Sequence, residues 1–255
     1  LQSASNFLSE HTMTAIGIDY GTSNSEVVYF DGTAHQHIKL DPLDKKGNKI
    51  RSSVFIYFED ELPPPPDAMV EAKVAQLQRV ISEQIDKAKD GYYSAKDPKE
   101  QAMYSDRIDS LRGDLHNKPA LQRKAIAQLM HAMSLDEIPL LRLVEHGKFA
   151  FGEEGFRRFL KMPDKGRLIY SPKNFLGASL DGDQKQAFIG IIAKQLAYFK
   201  QCAEQQLGKA VNNAVIGRPV KFHGTRGEEG NAQAIQIMTE AATKAGFSGV
   251  NFLDE

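Results

Sequence analysis

The stretch DYGTSN, residues 19–24, places one carboxylate and several short hydrogen-bond donors between two apolar segments. A tight turn can direct successive backbone N–H groups at phosphate oxygens, and Gly21 lets the backbone approach a ligand because it has no Cβ. The Asp19 carboxylate would repel phosphates unless a cation lay between them, and Mg²⁺, usually held through water, supplies that charge. The combination suits a metal–nucleotide site better than any one of these residues does, and an ordinary hairpin turn, which is common, stays open as the alternative.

Short apolar strands must position this turn. Ala15–Ile18 and Glu26–Phe30 are rich in isoleucine, valine and aromatic residues, which predicts two strands. Asp31-Gly32 predicts a hairpin turn leading into a third strand, His35–Leu40. Ser52–Phe58 is predicted to be a further strand.

The middle of the chain has helical periodicity, which predicts a helical insertion over residues 62–134 after a proline-rich spacer. Apolar residues recur at steps of three and four from Val70 to Ala88, and Gly91 is expected to end that helix. Further helices are predicted over Lys99–Asn117 and Pro119–Met133. The apolar stripes favour internal packing over a partner-binding face.

Strand patterns are expected to resume near Leu140. The apolar run Ala214–Arg218 predicts a central strand that is buried on both faces. The other predicted strands are Phe149–Gly152, Arg167–Tyr170 and Val250–Leu253, and the predicted helices are Glu153–Leu160, Asp183–Gly208 and Asn231–Gly246.

Bulk composition narrows the functional classes. The 255 residues carry a formal net charge of −1, which argues against nucleic acid as the main partner. No apolar run reaches the length of a membrane span. The single cysteine, Cys202, excludes an internal disulfide and favours a reducing, cytoplasmic setting. Residues 1–12 are interpreted as a tag or flexible extension.

The segment IGIDYGTSNSEVVYFDG resembles the first phosphate motif of the actin-like ATPase superfamily, in its DnaK-type heat-shock chaperone branch. SPKNFLG and VIGRP resemble the YegD-type putative chaperones within that branch. Further segments follow in the family's order: GNKIRSSVFIYF, FGEEGFRRF, LIYSPKNFLGAS, AVIGRPVKF and AATKAGFSGVNFLDE. The helical insertion matches poorly.

The resemblance implies an α/β fold of the ribonuclease H-like, actin-like ATPase type, with a mixed five-stranded sheet flanked by helices and a smaller inserted subdomain rich in helices. The chain would be the first lobe of the ATPase domain. Residues 13–50 and 178–255 would form its core subdomain, and residues 51–177 an upper subdomain that includes the insertion.

The resemblance also implies the site residues and the cofactors, ATP or ADP with Mg²⁺. Asp19 would organise Mg²⁺ through water, and Lys173 would reach the γ-phosphate, although a solvated loop lysine is the alternative. Glu255 would orient the attacking water, and Tyr20 would either stack near the nucleotide or pack in the core. The residues implied to hold the phosphates are Gly21, Thr22, Ser23 and Asn24.

The sequence lacks the family's second phosphate motif, Asp-x-Gly-Gly-Gly-Thr, and its adenosine-binding glycine pair. We therefore interpret the chain as one lobe of a longer ATPase. By itself it is expected to be inactive and to bind ATP weakly or not at all. Its expected partners are nucleotide, a second lobe, and a client or co-chaperone protein, with no nucleic acid or membrane.

Two other functions stay open at this stage. One is a small-molecule kinase of the same superfamily, such as a sugar kinase, and the other is a non-enzymatic scaffold that binds proteins. His35 and His37 share one face of a predicted strand and could hold a metal, but the lack of a third ligand nearby in the sequence favours a solvated strand edge.

Overall fold

A computed structural model describes residues 14–43, 47–59, 62–132, 138–218 and 227–254. The chain divides into two compact units, one formed by residues 1–61 with 139–255 and the other by residues 62–138. Among the described residues, the helices are too short or too polar to cross a membrane.

Five strands come first in the larger unit, helices and strands then alternate to its last described strand, and three helices form the smaller unit. The strands are β1 (Ala15–Asp19), β2 (Asn24–Phe30), β3 (His35–His37), β4 (Lys49–Arg51), β5 (Ser53–Tyr57), β6 (Lys148–Phe151), β7 (Gly166–Tyr170), β8 (Asn213–Arg218) and β9 (Gly249–Asp254). The helices are α1 (Asp67–Ser94), α2 (Pro98–His116), α3 (Lys118–Ala132), α4 (Leu140–His146), α5 (Gly152–Lys161), α6 (Gly182–Leu207) and α7 (Gly227–Lys244).

The main sheet is mixed, as the sequence predicted, and its path runs β3-β2-β1-β8-β9. Strands β1, β8 and β9 are parallel, whereas β2 and β3 run antiparallel to their neighbours. The described sheet has six strands rather than the five expected, because β4 also pairs with β2. The long β2 strand accommodates both partners, since β4 pairs with Asn24–Glu26 and β3 with Val28–Phe30.

The third strand is shorter than predicted. It ends at His37, and the amide of Leu40 donates to the carbonyl of Gly47 over 2.7 Å. The chain therefore turns into a loop whose residues Ile38 and Leu40 are buried, which explains why their apolar character suggested a longer strand.

Strands β5, β6 and β7 form a second, antiparallel sheet with β5 at its centre. All five residues of β5 are buried. Helix α5 packs against this strand, and the ring of Phe159 meets that of Phe55 edge-on, with centroids 5.7 Å apart.

Helices α6 and α7 pack against each other beside the main sheet, and the burial of that sheet alternates along its strands. The buried face carries Ile16, Ile18, Val27, Ala214 and Ile216. The prediction that β8 is buried on both faces is wrong, because Val215 on the opposite face is 38% exposed.

The smaller unit is organised around the 28-residue helix α1, which packs against both α2 and α3. Two buried clusters make these contacts: Val70, Val74, Leu121 and Ala125 between α1 and α3, and Ile85, Ala88, Ile108 and Leu111 between α1 and α2. Gly91 does not end α1, contrary to the prediction. A Cβ at Gly91 would lie 2.5 Å from the ring of Tyr104, so this glycine provides room for a close helix contact.

The expectation of strand structure near Leu140 is also wrong. Leu140–His146 forms α4, which packs against α6 and buries Leu143 and Val144. A short apolar run does not distinguish a buried helix from a strand.

Candidate functional site

Asp19 lies at the edge of the main sheet where the parallel strands end. Its register partner on β8 is Gly217, whose own partner on β9 is Leu253. In open α/β sheets, ligands bind outside the carboxyl ends of the strands. The exposed side chain of Asp19 therefore occupies the edge where a ligand is expected.

The turn that follows Asp19 is held through three consecutive backbone carbonyls. Ser52 Oγ donates to the carbonyl of Gly21 over 2.7 Å, and the Ser52 amide donates to that of Ser23 over 2.9 Å. Between them, Ser171 Oγ donates to the carbonyl of Thr22 over 2.6 Å.

This arrangement fixes the direction of the neighbouring N–H groups. In a trans peptide unit the C=O and the following N–H point in opposite directions, so the amides of Thr22, Ser23 and Asn24 point away from the serines. No described residue accepts a hydrogen bond from the amides of Thr22 or Ser23. Consecutive N–H groups directed outward form an anion-binding concavity.

A small hydroxyl chain supports the turn from beneath. Ser25 Oγ lies 3.2 Å from Ser52 Oγ, and both residues are buried. A hydroxyl has one proton to donate. Because Ser52 donates its proton to Gly21, Ser25 donates to Ser52.

Gly21 is required by the packing of the turn itself. A Cβ at this position would lie 2.0 Å from the carbonyl oxygen of Asn24 and 3.7 Å from Oδ1 of Asp19. The turn therefore brings the backbone of Asn24 close to the Asp19 carboxylate, and any side chain at Gly21 would force it to open.

Tyr20 packs in the core, which is one of the two roles that the sequence left open. Its side chain is 1% exposed, its ring lies 6.5 Å from that of Phe199, and its hydroxyl donates to Oε1 of Gln195 over 2.5 Å. Burial raises the pKa of the Tyr20 hydroxyl, which keeps it protonated as a donor. The residue thus anchors the start of the turn to α6.

Lys173 lies in a short 3₁₀ turn, Pro172–Phe175, that follows β7 directly. Its side chain is 7% exposed, so the alternative of a solvated loop lysine does not describe it. Ser171, two residues earlier, bonds to Thr22. The structure therefore brings the lysine-bearing segment into contact with the turn beside Asp19.

A row of charges crosses the open face of the sheet beside the turn. Asp19 pairs in register with Glu26, and Glu26 pairs in turn with Lys49. Paired residues project from the same face of a sheet. Lys49 Nζ lies 2.6 Å from Glu26 Oε1. The hydrogen bond to Glu26, with a smaller contribution from the Asp19 carboxylate, raises the pKa of Lys49.

This row borders a polar cleft of 780 Å³. Asn24 and Glu26 line it from β2, Arg51 lines it from the neighbouring β4, and Arg157 lines it from α5. Glu153 pairs with both arginines, at 3.9 Å from Arg51 and 3.4 Å from Arg157.

Glu255 lies outside the described residues, so the role implied for it stays a prediction. Its neighbour Asp254 ends β9, where Oδ1 lies 2.7 Å from Nη2 of Arg218 at the end of β8. The strand that would deliver Glu255 therefore reaches the same edge of the sheet as Asp19.

The histidine pair and the cysteine show no catalytic arrangement. His35 packs its ring 4.8 Å from that of Phe30, and Nδ1 of His37 lies 3.8 Å from Glu26. Burial raises the pKa of Cys202, which disfavours the thiolate. Within the described part of the chain, no three histidine, cysteine or acidic side chains are grouped to hold a metal.

No protein-family model matches the sequence. The sequence reasoning missed Ser52 and Ser171, which set the direction of the turn. Both serines lie in segments that carry the family resemblance, but nothing local marks them as partners of the turn, since Gly21 and Thr22 are 31 and 149 residues away along the chain.

Proposed function

We propose that this chain is a nucleotide-binding lobe of an actin-like ATPase of the DnaK and YegD chaperone type, and that the turn at residues 20–24 binds the phosphates of Mg·ATP. The observation that carries the proposal is the restraint of three consecutive carbonyls, those of Gly21, Thr22 and Ser23. It turns the adjacent amides outward at the end of β1.

The strand order supports the ribonuclease H-like part of the proposal. Three antiparallel strands come first in the chain, and β8 and β9 then add in parallel beside β1. This order places the β1–β2 turn and the ends of β8 and β9 around one shared edge, as a phosphate site at that edge requires.

Each residue of the proposed site would have its own chemical role. The outward amides of Thr22 and Ser23, with the side chain of Asn24, would bind phosphate oxygens. Mg²⁺ would supply the positive charge that lets the Asp19 carboxylate face a triphosphate.

Lys173 would neutralise charge on the terminal phosphate. An ammonium group placed before reaction begins stabilises the charge that develops during phosphoryl transfer. Lys173 is 7% exposed, and Ser171 in the same segment bonds to Thr22, which supports a place for the lysine near the turn. Chaperone activity would then belong to the longer protein, in which a second lobe closes over the nucleotide.

Mg·ATP titration of the wild type and of Lys173→Ala, at millimolar nucleotide, tests the proposal. One wall of a site gives weak binding, and loss of a charged contact should weaken it further by about tenfold. Lys161→Ala, which removes an exposed lysine at the end of α5, is the matched control. Equal affinities for all three proteins would refute the role of Lys173. The sequence left weak binding and no binding both open for this chain; weak binding supports the proposal, and no binding at millimolar nucleotide would refute it.

A further inference from the structure

Ser171 has an unusual backbone conformation. Among the described residues it is the one non-glycine residue with a positive φ, and its φ and ψ are 49° and 61°. This left-handed region is disfavoured for residues with a Cβ. Pro172 follows, and a residue before proline favours extended conformations, so Ser171 is strained for two reasons.

Three hydrogen bonds hold Ser171 in this state. Its amide donates to the carbonyl of Ser52 over 2.7 Å, and its hydroxyl donates to the carbonyl of Thr22 over 2.6 Å. Its own carbonyl accepts from the amide of Asn174 over 2.9 Å. The residue therefore joins Ser52, which directly precedes β5, to the β1–β2 turn and to the 3₁₀ turn that contains Lys173.

The strain has a geometric consequence. An extended residue at this position would continue β7 in its own direction and carry Pro172 and Lys173 past the turn. The left-handed residue instead bends the chain at the point where its hydroxyl meets Thr22. Strained residues persist where the surrounding structure holds them, and they cluster at functional sites.

We propose that Ser171 is a positioning residue that couples the β1–β2 turn to Lys173, so that the two move as one unit. The coupling is a property of the fold, and its role in nucleotide recognition rests on the function proposed above. With the hydroxyl in place, a ligand that pulls on the amides of Thr22 and Ser23 also sets the position of Lys173.

Hydrogen exchange measured by NMR tests the coupling without nucleotide. The amide of Ser52 donates to the carbonyl of Ser23 in the β1–β2 turn. The amide of Asn174 donates to the carbonyl of Ser171, within the 3₁₀ turn that contains Lys173. Loss of one buried hydrogen bond in Ser171→Ala should accelerate exchange at both amides by about fivefold. Faster exchange at Asn174 alone, with Ser52 as in the wild type, would overturn the proposal.

Two further variants separate the hydroxyl from the backbone. Ser171→Gly removes the hydroxyl but relieves the strain at φ, and it should accelerate exchange at Ser52 as Ser171→Ala does. This variant also serves if Ser171→Ala folds poorly. Ser82→Ala is the matched control, because Ser82 Oγ donates to a carbonyl, that of Gln78, within the exposed surface of α1. If Ser171→Gly left the exchange at Ser52 unchanged, the hydroxyl would not be the coupling element.

A double-mutant cycle with Mg·ATP measures what the coupling does. Lys173→Ala should weaken binding by about tenfold in the wild type but by less than about twofold in Ser171→Ala, because interacting residues are not additive. Equal losses in both backgrounds would contradict the coupling. If the wild type bound no Mg·ATP, the proposed function would fail, whereas the exchange experiment would still decide whether Ser171 couples the two segments.

Discussion

The hydroxyl of Tyr20 donates to Oε1 of Gln195 over 2.5 Å, and both side chains are buried. This bond ties the residue before Gly21 to the middle of α6, across 175 positions of sequence. The β1–β2 turn is therefore anchored to the core at its first residue and to Ser52 and Ser171 at the following ones.

Tyr20→Phe should destabilise the protein. The substitution leaves the buried side chain of Gln195 without its donor, which should lower the free energy of unfolding by about 1–3 kcal/mol. Urea unfolding measures the change. Tyr93→Phe, at a tyrosine that is 80% exposed, should change it by less than about 0.5 kcal/mol. Unchanged stability with weakened Mg·ATP binding would instead make Tyr20 a direct ligand contact.

Gly21→Ala should open the turn. The added Cβ would lie 2.0 Å from the carbonyl oxygen of Asn24, so the turn must rearrange at a cost of about 1–3 kcal/mol, and Mg·ATP binding should fall below detection. Gly17→Ala, in the strand β1 that precedes the turn, is the control, because its Cβ would meet only the carbonyl of Val28, at 3.8 Å. Equal nucleotide affinity for the two variants would show that the turn geometry is not needed.

Two helical glycines should respond in opposite directions to alanine. Gly91→Ala places a Cβ 2.5 Å from the packed ring of Tyr104, whereas Gly113→Ala meets nothing within 4 Å. The second variant should therefore raise the free energy of unfolding by up to about 1 kcal/mol through helix propensity, and the first should lower it. Thermal unfolding of both variants checks this, and stabilisation by Gly91→Ala would contradict the close contact.

The carboxyl group of Asp31 should have a pKa below that of an ordinary aspartate. Hydrogen bonds from the amide of Ala34 and from the hydroxyl and amide of Thr33 lower the pKa of Asp31 to about 2. Between about pH 4 and pH 2 the unfolded chain binds more protons at this residue than the folded one, so stability falls as the pH falls through that window. An NMR titration of the carboxyl group should show a midpoint near 2, and a midpoint near the ordinary 3.8 would exclude these bonds.

Local signals in the sequence were sufficient for much of the fold. Asp31-Gly32 predicted the hairpin, and Gly32 indeed has a φ of 100°. The long helix α6 was also predicted, over Asp183–Gly208, and the structure has it over Gly182–Leu207 with a capping box at Asp181 and Gly208 as its C-cap. The predictions at Gly91 and near Leu140 were wrong because tertiary packing determines the structure there. Gly91 packs against Tyr104, and the run at Leu140 packs against α6 as a helix.

The candidate site was predictable only in part. Asp19 and Gly21 belong to one continuous motif, so their proximity follows from the sequence alone. The contacts that aim the turn come from Ser52 and Ser171, which belong to other strands and turns. Lone serines give no periodic or spacing signal, and a left-handed serine before a proline runs against local preference.

The most direct test of the phosphate site is an NMR titration of the ¹⁵N-labelled protein with Mg·ATP. The amides of Thr22 and Ser23, which bond to no described residue, should shift first and most, because an accepted hydrogen bond to phosphate changes their environment directly. Resonances that shift elsewhere while these two amides stay fixed at millimolar Mg·ATP would contradict the account.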